Sequence, residues 1–168
     1  MIMNVEKGTE NTILRTVSKP IREVTPELRN FAVDMAKTME DEEGVGLAAP
    51  QVGRNIRLIV VKLNPGEKNE IIFPMVNPEI VDHGDAQEDG EEGCLSLPGV
   101  WGKVKRFSRI LVRYKNLKNQ EQTLELLHFN ARIIQHEIDH LDGVLFVDRA
   151  FEIEEKKRSK KSKSGAEI

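Results

Sequence analysis

The sequence is poor in cysteine and in long apolar runs, and each absence excludes a class of protein. Its single cysteine, Cys94, cannot form an internal disulfide, so we expect a reducing compartment. No apolar run approaches the roughly 20 residues that a membrane-spanning helix needs. The first twenty residues carry Glu6 and Glu10 and lack the apolar core of a signal peptide. The sequence therefore predicts a cytoplasmic protein without a membrane partner.

An excess of charge of one sign is also missing. The 168 residues include 25 Lys and Arg against 28 Asp and Glu, a net charge of −3 that gives no general attraction to nucleic acid. We therefore expect no specific DNA partner. The length fits one domain, which we assign to residues 1–150. Charged side chains dominate residues 151–168, and this tail is compatible with partly helical or disordered structure.

Two helices are predicted from their boundary residues and their apolar spacing. Thr25 can cap a helix that begins at Pro26, and apolar residues then recur with a period of 3.6. The second helix is predicted from about Asn130, a good N-cap, and Gly143 is expected to end it.

Strands are predicted between the helices, with two prolines breaking one of the strand regions. Pro74 and Pro78 are expected to divide that region because proline cannot donate a ladder hydrogen bond. The acidic stretch 82–92 is interpreted as a loop, and the last two strands as a hairpin. The predicted strands are residues 56–62, 71–76, 79–81, 104–114 and 122–127.

The second predicted helix carries an HExxH motif. His136 and His140 are four residues apart, so they project from one helix face on successive turns, and two such imidazoles can bind one metal ion. Glu137 lies about 60° from His140 around the axis, where it can take a proton from metal-activated water without binding the metal. The surrounding residues are largely apolar, which predicts a buried helix whose polar side chains need partners or a metal.

A catalytic site of this kind needs a third protein ligand. Zincin peptidases take it downstream of the motif, but no histidine follows His140. Cys94 lies upstream, and a thiolate with two imidazoles makes a chemically complete ligand set. A free cysteine is more often a small buried apolar residue. The residues alone leave three alternatives: a zincin-like metallopeptidase, a site with Cys94 as ligand, or a structural metal clamp in a catalytically idle protein.

Three motifs taken together resemble those of the peptide deformylase family. Residues 44–51 read GVGLAAPQ, residues 92–98 read EGCLSLP and residues 135–141 read QHEIDHL, in the order and spacing of that family. The resemblance implies an α+β fold in which antiparallel β-sheets wrap around a central metal-binding HExxH helix, with one N-terminal helix. It also implies a single catalytic domain that hydrolyses the N-formyl group of N-formylmethionine in newly synthesised polypeptides and releases formate.

The resemblance assigns the metal centre residue by residue. It implies Cys94, His136 and His140 as the metal ligands and Glu137 as the catalytic acid and base. Imidazoles and a thiolate accept Fe²⁺, Zn²⁺, Ni²⁺ or Co²⁺, so the ligand set leaves the ion open. The resemblance implies Fe²⁺ in the cell, with the other ions able to substitute.

The resemblance also assigns the groups that bind the substrate. The side-chain amide of Gln51 and the backbone N–H of Leu95 are expected to stabilise the negative charge that develops on the formyl oxygen. The backbone of Val45, Gly46 and Gly93 is expected to hold the substrate chain as an added strand. The missing side chains of the two glycines suit the close approach of another backbone.

Two more residues are predicted from helix geometry alone. Phe129 and Ile133 lie on the His136 face of the helix, two turns and one turn back, and we nominate them for an apolar pocket that takes the methionine side chain. The alternative, ordinary core residues, is equally compatible with their positions.

The tail supports one hypothesis about a partner. It contains six basic residues, Lys156, Lys157, Arg158, Lys160, Lys161 and Lys163. Such a cluster can attract the phosphates of ribosomal RNA, which would bring the protein near nascent chains. A solvated tail without a partner is the simpler alternative.

Overall fold

The computed structural model describes residues 1–156 and residue 168. This part of the chain forms two α-helices, eight strands and two short 3-10 helices. The helices are α1 (Pro26–Asp41) and α2 (His128–Leu141), and the 3-10 helices span Ala49–Val52 and Phe146–Asp148. The strands are β1 (Gly46–Ala48), β2 (Leu58–Leu63), β3 (Ile71–His83), β4 (Gln87–Cys94), β5 (Leu97–Phe107), β6 (Arg109–Lys115), β7 (Glu121–Leu127) and β8 (Glu152–Glu155).

The strands form two antiparallel sheets around helix α2. The larger sheet has the order β1-β2-β3-β6-β7, and the smaller has the order β4-β5-β8. Helix α2 contacts strands of both sheets, whereas α1 packs against β1, β2 and β3 of the larger sheet. The predicted α+β fold, with antiparallel sheets around the HExxH helix, is confirmed.

Helix α1 begins where the sequence predicts. The Thr25 hydroxyl accepts a hydrogen bond from the backbone N–H of Leu28 at 3.2 Å, and Pro26 occupies the first helical position, where a missing N–H costs nothing. One face of the helix, including Met35 and Met39, is buried in a cluster with residues of β1 and β2. This packing fixes the strand that leads into the site.

Helix α2 is buried from Ala131 to Leu141, as its apolar flanks predict. The predicted capping role of Asn130 is wrong, because Leu127 is the N-cap and the helix already begins at His128. The Asn130 side chain instead pairs with Asn64. It accepts a hydrogen bond from the backbone N–H of Asn64 at 3.0 Å and donates one to the Asn64 side chain. That contact ties the first turn of α2 to the end of β2.

Strand β3 runs without a break through both prolines, so the predicted division is wrong. A register shift between Val76 and Glu79 absorbs Pro78, and Asn77 adopts a positive φ of 50° at that bulge. The Asn77 side chain bonds both the N–H and the carbonyl of Ile21, at 2.8 and 2.7 Å. The bulge therefore anchors the N-terminal segment to the larger sheet.

Two other segments differ from the sequence interpretation. The acidic stretch predicted as a loop forms most of β4, and residues 104–107 belong to β5 rather than to the hairpin that β6 and β7 form. The pairing of β4 with β5 sets acidic side chains beside basic ones, as at Asp89 and Lys105, 3.7 Å apart. Such cross-strand charge pairs stabilise the β4–β5 pairing. The sequence does not predict these strands by alternating apolar and polar residues.

The first residues of the predicted tail are also ordered as a strand. Glu152–Glu155 form β8 along the edge of β5, where helical or disordered structure was expected. Of the six basic residues, Lys156 bonds Glu91 at 2.9 Å, and the other five lie outside the described residues. Across residues 1–156 and 168, no helix combines the length and apolarity that a membrane crossing requires.

Candidate metal centre and catalytic site

The three predicted ligands meet at one point between the two sheets. Cys94 is the last residue of β4, and His136 and His140 lie on successive turns of α2. Their ligand atoms all lie within 4.8 Å of one another, and Cys94 Sγ is 3.3 Å from His140 Nε2. All three side chains are buried. The fold thus brings a cysteine next to two histidines that follow it by more than forty residues along the chain.

The donor set fits a divalent transition-metal ion. One thiol and two imidazoles converge there. Soft sulfur and nitrogen ligands of this kind bind Zn²⁺ and Fe²⁺ in proteins. The Nε2 atom of His136 is buried without a hydrogen-bond partner. A buried polar atom without a partner carries a cost of about 1–3 kcal/mol, which coordination of an ion would remove.

The protonation states of two ligands respond differently to burial. Burial lowers the pKa of His140 well below its ordinary value, and electrostatic interaction with the neighbouring His136 and Arg106 lowers it further. A neutral imidazole, which a metal ligand must be, is therefore favoured. Burial raises the pKa of the Cys94 thiol, so in the protein without metal the thiol keeps its proton. Binding of a cation there would require its loss.

Glu92 orients His136 and was not predicted as a site residue. Its carboxylate accepts a hydrogen bond from Nδ1 of His136 at 2.8 Å, which leaves Nε2 facing the other ligands. Arg106 donates to both Glu92 oxygens at 2.9 and 2.8 Å, and Arg132 donates to one at 2.7 Å. Burial raises the pKa of Glu92, but the bonds from Arg106 and His136 outweigh it and lower the pKa well below the ordinary range.

Glu92 was nevertheless visible in the sequence as the first residue of the EGCLSLP motif. Its partners were not, because Arg106 lies on β5 and Arg132 on the first turns of α2. Arg106 also donates to Asp139 at 2.6 Å, and Asp139 accepts from Arg149. A buried ionic network therefore supports the helix that carries the ligands.

Glu137 is fully buried beside the ligands and has no hydrogen-bond partner on either carboxylate oxygen. Burial raises its pKa well above the ordinary range, and the negative charge of Glu92 raises it further. A carboxyl group in this environment binds a proton readily, as a general base must.

Gly46 leaves the room that the Glu137 side chain occupies. A Cβ atom added at Gly46 would lie 2.4 Å from Oε1 of Glu137, far inside van der Waals contact. The sequence interpretation explains this glycine by the approach of a substrate backbone. The structure adds a second reason, since any side chain at position 46 would displace the carboxylate.

Gln51 reaches the candidate metal ligands from the 3-10 helix after β1. Its Oε1 accepts the backbone N–H of Ala48 at 2.8 Å, which fixes the orientation of the amide. Its Nε2 donates to the Ser96 hydroxyl at 3.1 Å and lies 3.5 Å from Cys94 Sγ. Leu95 follows Cys94 directly and is buried. The structure thus brings Gln51 to the ligands, together with Ser96, which sequence reasoning missed.

The predicted strand-addition residues lie at sheet edges. β1, which begins at Gly46, is one of the two outer strands of the larger sheet, and β4, which contains Gly93, is an outer strand of the smaller one. The carbonyl of Val45 already accepts the N–H of Lys62 at 2.8 Å. A Cβ atom on Gly93 would lie 2.7 Å from the Trp101 ring, so packing against this ring also requires glycine there.

The two nominated pocket residues differ in their surroundings. Ile133 is fully buried in the same apolar cluster as Val45. Phe129 lies in the first turn of α2 with 37% of its surface exposed, so it is not an ordinary core residue. Their role in binding a methionine side chain stays a prediction.

Comparison with known proteins gives this arrangement a family. The sequence model of the family described as polypeptide deformylase matches residues 3–157. The chain belongs to this family. It is 48% identical over 145 residues to the peptide deformylase of Desulforudis audaxviator, covering 86% of this chain and 92% of that protein. The peptide deformylase of Natranaerobius thermophilus is 41% identical over 147 residues, covering 88% and 92%.

Solved structures of deformylases have the same fold. The crystal structure of peptide deformylase from Thermotoga maritima matches with a TM-score of 0.84 at 36% identity, covering 90% of this chain and 99% of that one. The Met-Ala-Ser-bound class I type b peptide deformylase of Acinetobacter baumannii matches with a TM-score of 0.82 at 37% identity, covering 89% and 98%. The deformylase fold and family predicted from the three motifs are therefore confirmed.

Proposed function

We propose that this protein is a metal-dependent deformylase that hydrolyses the N-formyl group of N-formylmethionine in newly synthesised polypeptides and releases formate. The observation that carries the proposal is Glu137, a buried carboxylate with two unpartnered oxygens beside a Cys-His-His ligand set. A purely structural metal site needs no such group, which argues against an idle relative. The family match gives no support to a zincin-like metallopeptidase.

The chain's own residues divide the chemistry between them. A divalent ion held by Cys94, His136 and His140 would act as a Lewis acid and lower the pKa of water. The Glu137 carboxylate takes up the proton of the attacking water and passes it to the departing amine nitrogen.

Two neutral donors meet the charge that develops on the formyl oxygen. The Gln51 amide is held in place by Ala48, and its N–H points toward the Cys94 side of the site, where the formyl group would bind. The backbone N–H of Leu95 is the second donor. Donors that are already oriented need no reorganisation when the charge forms, and one such donor is worth about 10²–10³ in rate.

The substrate chain binds as an added strand at the edges of β1 and β4. Main-chain bonds to Val45, Gly46 and Gly93 do not depend on the side chains of the substrate, which suits an enzyme that acts on many nascent chains. Ile133 provides the apolar wall of the pocket for the methionine side chain, and Phe129 lies at the rim of this pocket. The Met-Ala-Ser peptide bound by the Acinetobacter baumannii relative supports a site for a chain that begins with methionine.

The native ion and the location extend the same proposal. We infer Fe²⁺ in the cell, with Zn²⁺, Ni²⁺ or Co²⁺ able to replace it, since the ligand set accepts all four. Metal analysis of protein purified without oxygen tests this. A cytoplasmic location and ribosome association through the basic tail stay predictions. Lys156 contributes little to such a tail, because Glu91 and Glu154 already neutralise it at 2.9 and 3.3 Å.

Formate release from formyl-Met-Ala-Ser, with and without a chelator, tests the function. We expect formate and intact Met-Ala-Ser as the products. Formation of both should stop when the ion is removed and resume when Zn²⁺ or Ni²⁺ is added. Mass spectrometry of the products separates the alternatives. Cleavage of a peptide bond would indicate a peptidase, and a metal-loaded protein that yields neither product would indicate an idle relative.

A further inference from the structure

Residue 168 lies in the same part of the molecule as the proposed substrate site. The Ile168 side chain is fully buried and belongs to the apolar cluster that contains Val45 and Ile133. Its backbone N–H donates to the carbonyl of Gly93 at 3.2 Å. Gly93 directly precedes the metal ligand Cys94.

The burial of Ile168 in this cluster and its hydrogen bond to Gly93 correspond to the two interactions that the substrate is expected to make. Under the proposed function, which this inference rests on, the first residue of the substrate places an apolar side chain in a pocket walled by Ile133. Its backbone pairs with the edge of β4 at Gly93. Isoleucine is comparable in size and apolarity to methionine, so one pocket accepts both with little strain.

The chain can reach this position within one molecule. The N–H of Lys156 donates to the carbonyl of Gly99 on β5 at 2.7 Å, which anchors the chain on the smaller sheet. Residue 168 follows twelve positions later. An extended chain of that length spans up to about 40 Å, so the link from β8 to Gly93 needs no second copy.

We propose that Ile168 occupies the substrate pocket as an intramolecular competitor, so that a formyl-peptide must displace it to bind. A ligand carried on the same chain acts at a millimolar effective concentration, and even weak binding then holds a site for a substantial fraction of the time. When Ile168 occupies the site, substrate can bind only the fraction of molecules whose site is open, and its apparent affinity falls in proportion to that fraction. This competition leaves the rate of the chemical step unchanged.

Kinetics of Ile168→Asp on formyl-Met-Ala-Ser test the proposal. A charged side chain is not accommodated in an apolar pocket, so we expect KM to fall about three- to tenfold while kcat is unchanged. Ile153→Asp is the matched control, because Ile153 is 55% exposed on β8 and its substitution should leave KM as in wild type. If wild type and Ile168→Asp are both active and have the same KM, the proposal is overturned while the deformylase function stands.

Two measurements do not depend on turnover. The Ile168 amide should be protected from hydrogen exchange in the free Zn²⁺-loaded protein and lose that protection when Met-Ala-Ser saturates the site. Labelled Met-Ala-Ser should bind Ile168→Asp more tightly than wild type. If neither protein releases formate but these two results hold, the deformylase function fails and the competition survives. A KM that changes with enzyme concentration would indicate a second copy and overturn the intramolecular contact.

Discussion

The carboxylate of Glu92 holds Nδ1 of His136 at 2.8 Å and is itself held by two arginines. His136 Nε2 is thereby directed toward Cys94 and His140 without any bond of its own. One glutamate on β4 therefore sets the orientation of a candidate metal ligand on α2. Hydrogen-bond partners of this kind commonly change metal affinity 10- to 100-fold when they are removed.

Substitution of Glu92 should weaken both metal binding and folding. In Glu92→Gln the buried Arg132 loses its counter-charge and Arg106 keeps only Asp139. Loss of one partner from a buried ion pair costs about 3–5 kcal/mol. We expect metal affinity to fall at least about tenfold by chelator competition. Glu91→Gln is the control, since Glu91 lies on the same strand but pairs with Lys156 near the surface. Equal metal affinity in the two variants would refute the orienting role.

A methyl group at position 46 should impair catalysis without unfolding the protein. In Gly46→Ala the new Cβ would lie 2.4 Å from Glu137 Oε1, so the carboxylate must move. A displacement of about 1 Å at a reacting group can cost about 10² in rate. Gly84→Ala is the control, because its Cβ would make an ordinary 3.6 Å contact with Arg109. Wild-type kcat in Gly46→Ala would show that the carboxylate position is not critical.

Glu137→Gln should keep the metal and lose turnover. The amide preserves the shape of the side chain but cannot take up a proton, and general acid–base catalysis is worth about 10²–10⁴ in rate. Metal content and formate release are measured on the same preparation. Loss of the ion together with activity would make Glu137 a ligand and contradict its assigned role.

Cys94→Ser should lose the ion itself. A hydroxyl is a poor ligand for these metals, so we expect metal content and formate release to fall together in anaerobic preparations. In wild type, the Fe²⁺ form should lose activity in air while the Zn²⁺ and Ni²⁺ forms persist, because iron and its thiolate are open to oxidation. Ser96→Ala, which removes a neighbour of Gln51, should retain its metal. Full metal occupancy in Cys94→Ser would place the third ligand elsewhere.

The pair of Arg15 and Asp148 should give a small pH-dependent stabilisation. A hydrogen bond from Arg15 lowers the pKa of Asp148 in the folded protein, against partial desolvation. The contribution is therefore present above the ordinary carboxyl pKa near 4 and disappears as pH falls through the lower folded value. Because the pair is largely exposed, Asp148→Asn should cost no more than about 1 kcal/mol at pH 7 and less at pH 2. Thermal melts at both pH values, with Asp89→Asn as the exposed control, decide this.

The grouping of His136, Glu137 and His140 on α2 was predictable because helix spacing is a local property. Cys94 entered the predicted site only through the resemblance of the three motifs to the deformylase family. His136, Glu137 and His140 lie within one and a half turns, and no tertiary information is needed to place them on one face. Glu92 with Arg106 and Arg132 was not predictable in this way. Their contact joins β4, β5 and α2, and its energy depends on burial that only the folded chain creates.

The errors in the fold have the same origin. Pro74 and Pro78 break a strand in isolation, but pairing with β2 and β6 and a bulge at Asn77 keep β3 continuous. The acidic residues of β4 look like a loop because their partners on β5 are distant in sequence. Glu152–Glu155 became a strand for a similar reason, since the edge of β5 was available to pair with them.

The position of the three ligands on two separate units of the fold has a mechanical consequence. Cys94 ends a strand of the smaller sheet, while both histidines belong to a helix that packs mainly on the larger one. An ion bound to all three would be a covalent-like cross-link that closes the chain between β4 and α2. Such a link shrinks the unfolded ensemble in the way a disulfide does. In a chain with a single cysteine, the metal would supply the one bridge that sulfur alone cannot make.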